Sequence, residues 1–154
     1  MTAAPMIVSI TYKPEDEAVP DERAFTRVPV NEAALVVGHG IAGDRKGGHP
    51  TRQINIMGSG MLAQLQTEGF TVTPGSMGEQ LVISGIDVDS LAAGEKLMLG
   101  TAACIEVMAA RQGCTRFTGI QGVNELPKGR MGVMARVVTA GPIHVGDPVR
   151  LLQE

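Results

Sequence analysis

Apolar residues in this chain come in short runs, rich in β-branched side chains and closed off by Gly, Pro or Asp. That is the pattern of strands rather than helices. It predicts strands near Met6–Tyr12, Ala34–Val37, Gln53–Met57, Gln80–Ile83, Lys96–Leu99, Ala103–Ala109, Val133–Thr139 and His144–Leu152. In the sixth of these, Ala103, Ile105, Val107 and Ala109 fall on one face and Cys104, Glu106 and Met108 on the other. One segment has helical spacing instead: in GSGMLAQLQTEGF, Met61, Leu62 and Leu65 stand at i, i+1 and i+4. Ser59 can cap its start and Gly69 can end it. A second short helix is predicted over Gln121–Leu126. Short strands at close spacing with one or two helices predict a mostly β fold, a closed or nearly closed β-barrel of about seven or eight strands.

Composition narrows the picture. The 154 residues fit one domain, 1–154, large enough to bury a core without staples. Twenty glycines and nine prolines against three Phe, one Tyr and no Trp imply many tight turns and a core of aliphatic side chains and Met. A formal charge of -3 gives no basic field for nucleic acid or an anionic membrane. No apolar run approaches the roughly 20 residues of a membrane helix, and the N-terminus does not read as a signal peptide. The chain is therefore expected to be soluble and cytoplasmic. Two cysteines, Cys104 and Cys114, do not make a disulfide framework.

The stretch Gly38–Gly43 spells G-x-G-x-x-G after an apolar run. In a dinucleotide fold the third glycine opens a helix, and an acid follows about 20 residues on. Here Asp44-Arg45-Lys46-Gly47-Gly48-His49-Pro50 follows, a poor first helical turn, and Ala63 and Gln64 occupy the acid's place. The glycines instead allow close backbone approach, and successive amides in such a loop can form an anion nest. His39 and His49 flank this loop at a spacing that matches no zinc motif, and His144 stands alone.

The loop also begins a longer succession: GHGIAGDRKGG, Arg52 in RQINIMG, PGSMGEQLVISGID, GEKLMLGTAACIEV, ARQGC and GVMARVVTAGPIHVGDPV, in that order. This order resembles the MOSC domain, named for the C-terminal region of molybdenum cofactor sulfurases, and in particular its small stand-alone bacterial members. The resemblance runs from about Val37 to Val149 and implies a mostly β barrel. One departure stands out. The family usually reads Gly-Glu-Asn-Leu where this chain has Gly78-Glu79-Gln80-Leu81, which moves the amide one methylene outward.

The resemblance implies a molybdenum cofactor (molybdopterin). Cys114 matches the family's cysteine, a molybdenum ligand in some members and a sulfur carrier in others. Either role needs a thiolate, which the flanking Arg111 and Arg116 favour. The alternative is a buried cysteine acting as a small hydrophobe, the reading that holds for Cys104. A phosphate-bearing pterin calls for cations: Arg45, Lys46 and Arg52 flank the glycine loop, and Arg111, Arg116 and Arg136 lie in later motifs. Arg23, Arg27 and Arg150 read as solvated surface charges. Gln80 falls in the cofactor-binding motif, and Glu79 beside it is a proton carrier or a structural ion-pair partner.

These assignments imply a reductase of small N-hydroxylated compounds or a sulfur-transfer protein. It would be served by a separate electron-transfer or sulfur-donor protein, because the sequence has no flavin, haem or iron–sulfur motif. A non-catalytic cofactor or sulfur carrier and a metal-free thiol protein are the alternatives. Residues Arg52, Glu79, Arg111 and Cys114 are expected around one cleft.

Overall fold

The computed structural model describes residues 4–14, 27–111 and 130–152. The element order is β1 (Met6–Tyr12), β2 (Val28–Val30), β3 (Glu32–Val36), β4 (Gly40–Ile41), β5 (Ile54–Gly58), α1 (Ser59–Thr67), β6 (Leu81–Ser84), a 3-10 turn at Val88–Ser90, β7 (Lys96–Leu99), β8 (Ala103–Ala110), β9 (Val133–Thr139), β10 (Gly141–His144) and β11 (Val149–Leu152). Eight strands form one mixed sheet in the order β11-β7-β8-β9-β5-β6-β1-β2, and β10-β3-β4 form a second. Aliphatic residues from both sheets, among them Ile7, Leu35, Ile56, Leu97, Ile105 and Ile143, share one core.

The mostly β expectation holds, but neither sheet closes into a barrel among the described residues. The chain entering β11, at one edge of the large sheet, approaches β1 near the other edge at one isolated bridge, Met6 with Pro148, flanked by Ile7 N to Asp147 O at 2.9 Å and Val149 N to Pro5 O at 3.0 Å. Beyond these bonds Gly146 N reaches Ile7 O at 2.7 Å, and at Gly146 (φ +96°) the chain turns back toward β10, so the pairing goes no further. The sheet is also not purely antiparallel. β5 and β6 pair in parallel, which requires a crossover that α1 and the loop after it supply.

Individual elements follow the sequence with instructive departures. The predicted strand His144–Leu152 is two strands, because Gly146 at φ +96° turns the chain between β10 and β11. Its Gly-Asp pair builds that turn: Asp147 Oδ2 accepts from the His144 amide at 2.8 Å. β2 and β4, three and two residues long, escaped the periodicity because they hold too few positions to alternate. Gly58, not Ser59, occupies the N-cap of α1, with no side-chain cap, since β5 runs straight into the helix. The C-terminus is as expected. Gly69 (φ +99°) follows the C-cap, with Phe70 N bonded to Leu65 O at 3.0 Å and Gly69 N to Gln66 O at 3.1 Å, a Schellman closure. Leu62 and Leu65 bury this helix against Met57, Met77, Val82 and Met131 in a second apolar cluster. The predicted helix at 121–126 lies outside the described residues.

In β8 the expected face assignment holds from Ala103 to Val107 and then fails. A register shift between Val107 and Ala109 sets Ala109 opposite Met134 rather than on the core face with Ala135. Such a bulge bends the strand and re-aims the residues beyond it. Arg111 is the first residue past the end of β8.

Candidate functional site

The glycine loop is a set of turns, with no helix after it. Gly38, Gly40 and Gly43 all have positive φ (82°, 117° and 82°), and a Cβ on Gly40 would stand 2.6 Å from the Gln53 carbonyl oxygen. Gly40 does permit a close backbone approach, but to Gln53, the residue before β5, rather than to the anion expected from the sequence. The amides that could have formed an anion nest are occupied. Asp44 N bonds Ile41 O, Arg45 N bonds Lys13 O, Gly47 N bonds Asp44 O and Gly48 N bonds His39 O, at 2.8 to 3.1 Å.

The loop instead delivers one carboxylate inward. Asp44 is fully buried, and its Oδ1 accepts from the amides of Lys13 (3.2 Å) and Lys46 (3.1 Å). Its Oδ2 accepts from Gln80 Nε2 at 3.0 Å. At its other end, Gln80 Oε1 accepts from the Asn55 amide at 2.7 Å. Next to Gln80, Glu79 is also fully buried, its Oε2 accepting from Gly75 N (2.6 Å) and its Oε1 from Met77 N (3.0 Å). The Glu79 carbonyl is held by Thr11 Oγ1 at 2.8 Å. Two buried carboxylates thus come from different segments, Glu79 from the turn before β6 and Asp44 from the glycine loop bonded to Gln80 beside it.

Buried anions demand compensating cations. Arg27 supplies one, although its sequence context reads as a surface charge. Gly75 (φ +88°) leaves room for it: a Cβ there would stand 3.1 Å from Thr11 Oγ1 and 3.4 Å from Arg27 Cβ. Burial is the largest influence on the Arg27 guanidinium and lowers its pKa, while nearby Asp44 and Glu79 act in the opposite direction. Its Nε and Nη1 are buried and find no hydrogen-bond acceptor among the described residues. Asn55 Oδ1 is likewise buried without a donor, although its Nδ2 reaches Gly78 O at 3.3 Å. Arg111, redirected by the β8 bulge and anchored by its amide to Gly132 O (2.9 Å), lies near enough to Glu79 to favour its ionised form.

Desolvation dominates Glu79 all the same and raises its pKa above the ordinary 4.5. The folded state therefore binds this proton more tightly than the unfolded chain does. Stability owed to Glu79 rises as pH falls from the folded-state pKa toward 4.5, and is lost as pH rises through that window. Denaturation of wild type and Glu79→Gln at several pH values should show wild type gaining on the variant as pH is lowered; a flat or opposite difference would refute this.

Of the residues singled out from sequence, Glu79, Gln80 and Arg111 come together. Arg45 and Arg52 are exposed on the turns after the glycine loop, and no hydrogen bond or ion pair among the described residues joins Arg52 to Glu79 or Arg111. Arg136 is elsewhere in its bonding: it lies on the exposed face of β9, with Nε and Nη2 on Glu106 Oε1 at 2.9 and 2.7 Å across the β8–β9 pair. Cys114 and Arg116 lie outside the described residues. No group of three or more His, Cys, Asp or Glu side chains suited to a metal forms among the described residues. No helix there is long and apolar enough to cross a membrane.

The MOSC domain model matches residues 43–150, from the end of the glycine loop into β11. The chain belongs to the MOSC-domain family. Solved structures similar to this MOSC domain include YiiM from Geobacillus stearothermophilus, at 26% identity and a TM-score of 0.75, with 97% of this chain and 75% of that one covered. YiiM from Escherichia coli is similar at 18% identity and a TM-score of 0.71, covering 96% and 70% of the two chains. The YUAD protein from Bacillus subtilis aligns over 97% of both chains at 18% identity and a TM-score of 0.69. These last two likenesses speak to the fold alone. No curated protein sequence matches the chain significantly.

Proposed function

We propose that this MOSC domain binds the molybdenum cofactor through the Arg27–Arg111 cluster and reduces N-hydroxylated compounds, with Cys114 as the protein's ligand to molybdenum. The observation that carries the reading is Arg27. A guanidinium with buried N–H donors and no acceptor among the described residues suits an anion with several oxygens, such as a pterin's phosphate. Asn55 Oδ1, a buried acceptor without a donor, suits the N–H groups of the same ligand. Cys114 follows Arg111 by three residues in sequence. Bound there, the group would supply two-electron redox chemistry, and a separate protein would deliver the electrons. The polypeptide's part is to hold the anion with its arginines, while Asp44 and Glu79 act on the Arg27 guanidinium that would meet it.

Glu79 serves this site by position. Both carboxylate oxygens are engaged by the amides of Gly75 and Met77, so it shapes the loop rather than carrying protons. That commitment favours a second reading, a cofactor or sulfur carrier without turnover, and an assay separates the two. Protein made in a molybdate-fed host should contain molybdenum and pterin and should reduce a hydroxylamine with an artificial electron donor. Cofactor without reduction would select the carrier; neither metal nor pterin would overturn both. Arg27→Lys keeps the charge but loses the planar set of donors, and should lower cofactor affinity about 10- to 100-fold with the melting temperature little changed. Unchanged cofactor content on dialysis would remove Arg27 from the site.

A further inference from the structure

We infer that Gln80 is a positioning residue: its side chain does not hold the ligand but spans the gap between β5 and the glycine loop, and its length sets where the basic stretch after Asp44 stands. The inference rests on the cofactor-binding proposal. Both ends of the Gln80 amide are spoken for within the protein. Oε1 accepts from Asn55 N at 2.7 Å and Nε2 donates to Asp44 Oδ2 at 3.0 Å, with the residue itself 3% exposed. The orientation of the amide follows from its partners, since an N–H requires the oxygen and a carboxylate requires the NH2. Its backbone is fixed independently, Gln80 N to Asn55 O at 2.9 Å and Thr11 N to Gln80 O at 2.8 Å. The side chain therefore works as a strut of defined length from a rigid sheet.

Asp44 is the joint at the far end. Its second oxygen holds the amides of Lys13 and Lys46, and the Arg45 amide is tied to Lys13 O at 2.8 Å. Cations at 45 and 46 thus leave the protein from backbone that Gln80 fixes through one buried carboxylate. The same carboxylate acts electrostatically on Arg27. An asparagine at position 80 would be one methylene short and could not keep both contacts without moving the loop or the strand. This gives the Gln in Gly78-Glu79-Gln80-Leu81 a physical purpose: it matches the strut to the Asp44 loop of this chain.

Two variants test the strut at different points. Gln80→Glu is isosteric, keeps the acceptor for Asn55 N and sets an oxygen against Asp44 Oδ2. Gln80→Asn shortens the strut. For each, amide hydrogen exchange is measured residue by residue and molybdenum and pterin retention is measured on dialysis of the full chain. With Gln80→Glu, exchange at Lys13 and Lys46 should rise at least about tenfold, the scale of one lost hydrogen bond to a charged acceptor, while Asn55 and the β8–β9 amides stay protected. Cofactor retention should fall by a similar factor. The loss should be clear at about pH 8 and largely reversed at about pH 5, where the introduced carboxyl regains a proton to donate to Asp44. Arg27 feels the Asp44 carboxylate together with Glu79, and Lys13 and Lys46 are bonded to it through their amides; wild type followed over the same range accounts for these groups. Gln80→Asn should expose the Asn55 amide as well and should show no such reversal.

Unchanged exchange at Lys13 and Lys46 would overturn the inference. So would raised exchange with cofactor retention unmoved, which would make the strut structural only. If wild type itself holds no molybdenum or pterin, the functional proposal fails, and the strut is then decided by the exchange pattern alone.

Discussion

Gly132→Ala is expected to cost about 4 kcal/mol or more, and to lower the melting temperature by about 10 °C or leave the chain insoluble. Gly132 precedes β9 at φ +79°, where side chains with a Cβ are strained. There is also no room. A Cβ would overlap the carbonyl oxygen of Ile56 and press on Met57 Sδ, both in β5 at the centre of the large sheet. Relief by shifting the backbone would break two bonds: Gly132 N to Asp89 Oδ1 at 2.8 Å and Arg111 N to Gly132 O at 2.9 Å. The second anchors Arg111, so on the cofactor proposal any folded remnant should also bind the group poorly. Gly60→Ala is the control with opposite sign. It lies inside α1 with nothing within 4 Å of the added methyl, and should gain roughly 0.5–1 kcal/mol from helix propensity. Thermal unfolding of both variants checks the pair, and a Gly132→Ala variant within about 1 kcal/mol of wild type would show that β5 yields there.

Cys114→Ala is expected to abolish molybdenum retention, on the proposal that its thiolate is the ligand to the metal. Cys104→Ala is expected to do the reverse. Cys104 is buried in β8, 5% exposed, and burial pushes its thiol pKa up, which keeps it protonated and inert. Losing its sulfur leaves a small cavity, worth on the order of 1 kcal/mol, with cofactor content untouched. Metal analysis and melting curves on the two variants separate the roles, because the same atom is removed from each. Full molybdenum occupancy in Cys114→Ala would end the proposed ligand role and leave the arginine cluster as an anion site.

The features that the sequence determined by itself were local. Alternation and glycine placement were enough for β1, β7 and β9 and for the Gly69 stop of α1, because these depend on neighbours a few residues apart. The ordered motifs identified the family, since each records a turn or strand whose backbone needs particular residues. The same motifs singled out Glu79, Gln80 and Arg111, whose roles toward a ligand are proposals. Tertiary structure decided the features that depend on distant partners. The open mixed sheet was not legible, because closure turns on whether strands far apart in sequence pair, and a bridge at Pro148 cannot report itself in a hydropathy pattern. Nor was the part played by Arg27, a single arginine at the start of a short strand with no motif around it. Only the placement of Asp44 and Glu79 near it, far along the chain, makes it a partly buried cation with a role. Gln80 shows the division most clearly. Its identity and its extra methylene are written in the sequence, but the distance that the methylene spans exists only once β5, β6 and the glycine loop are assembled.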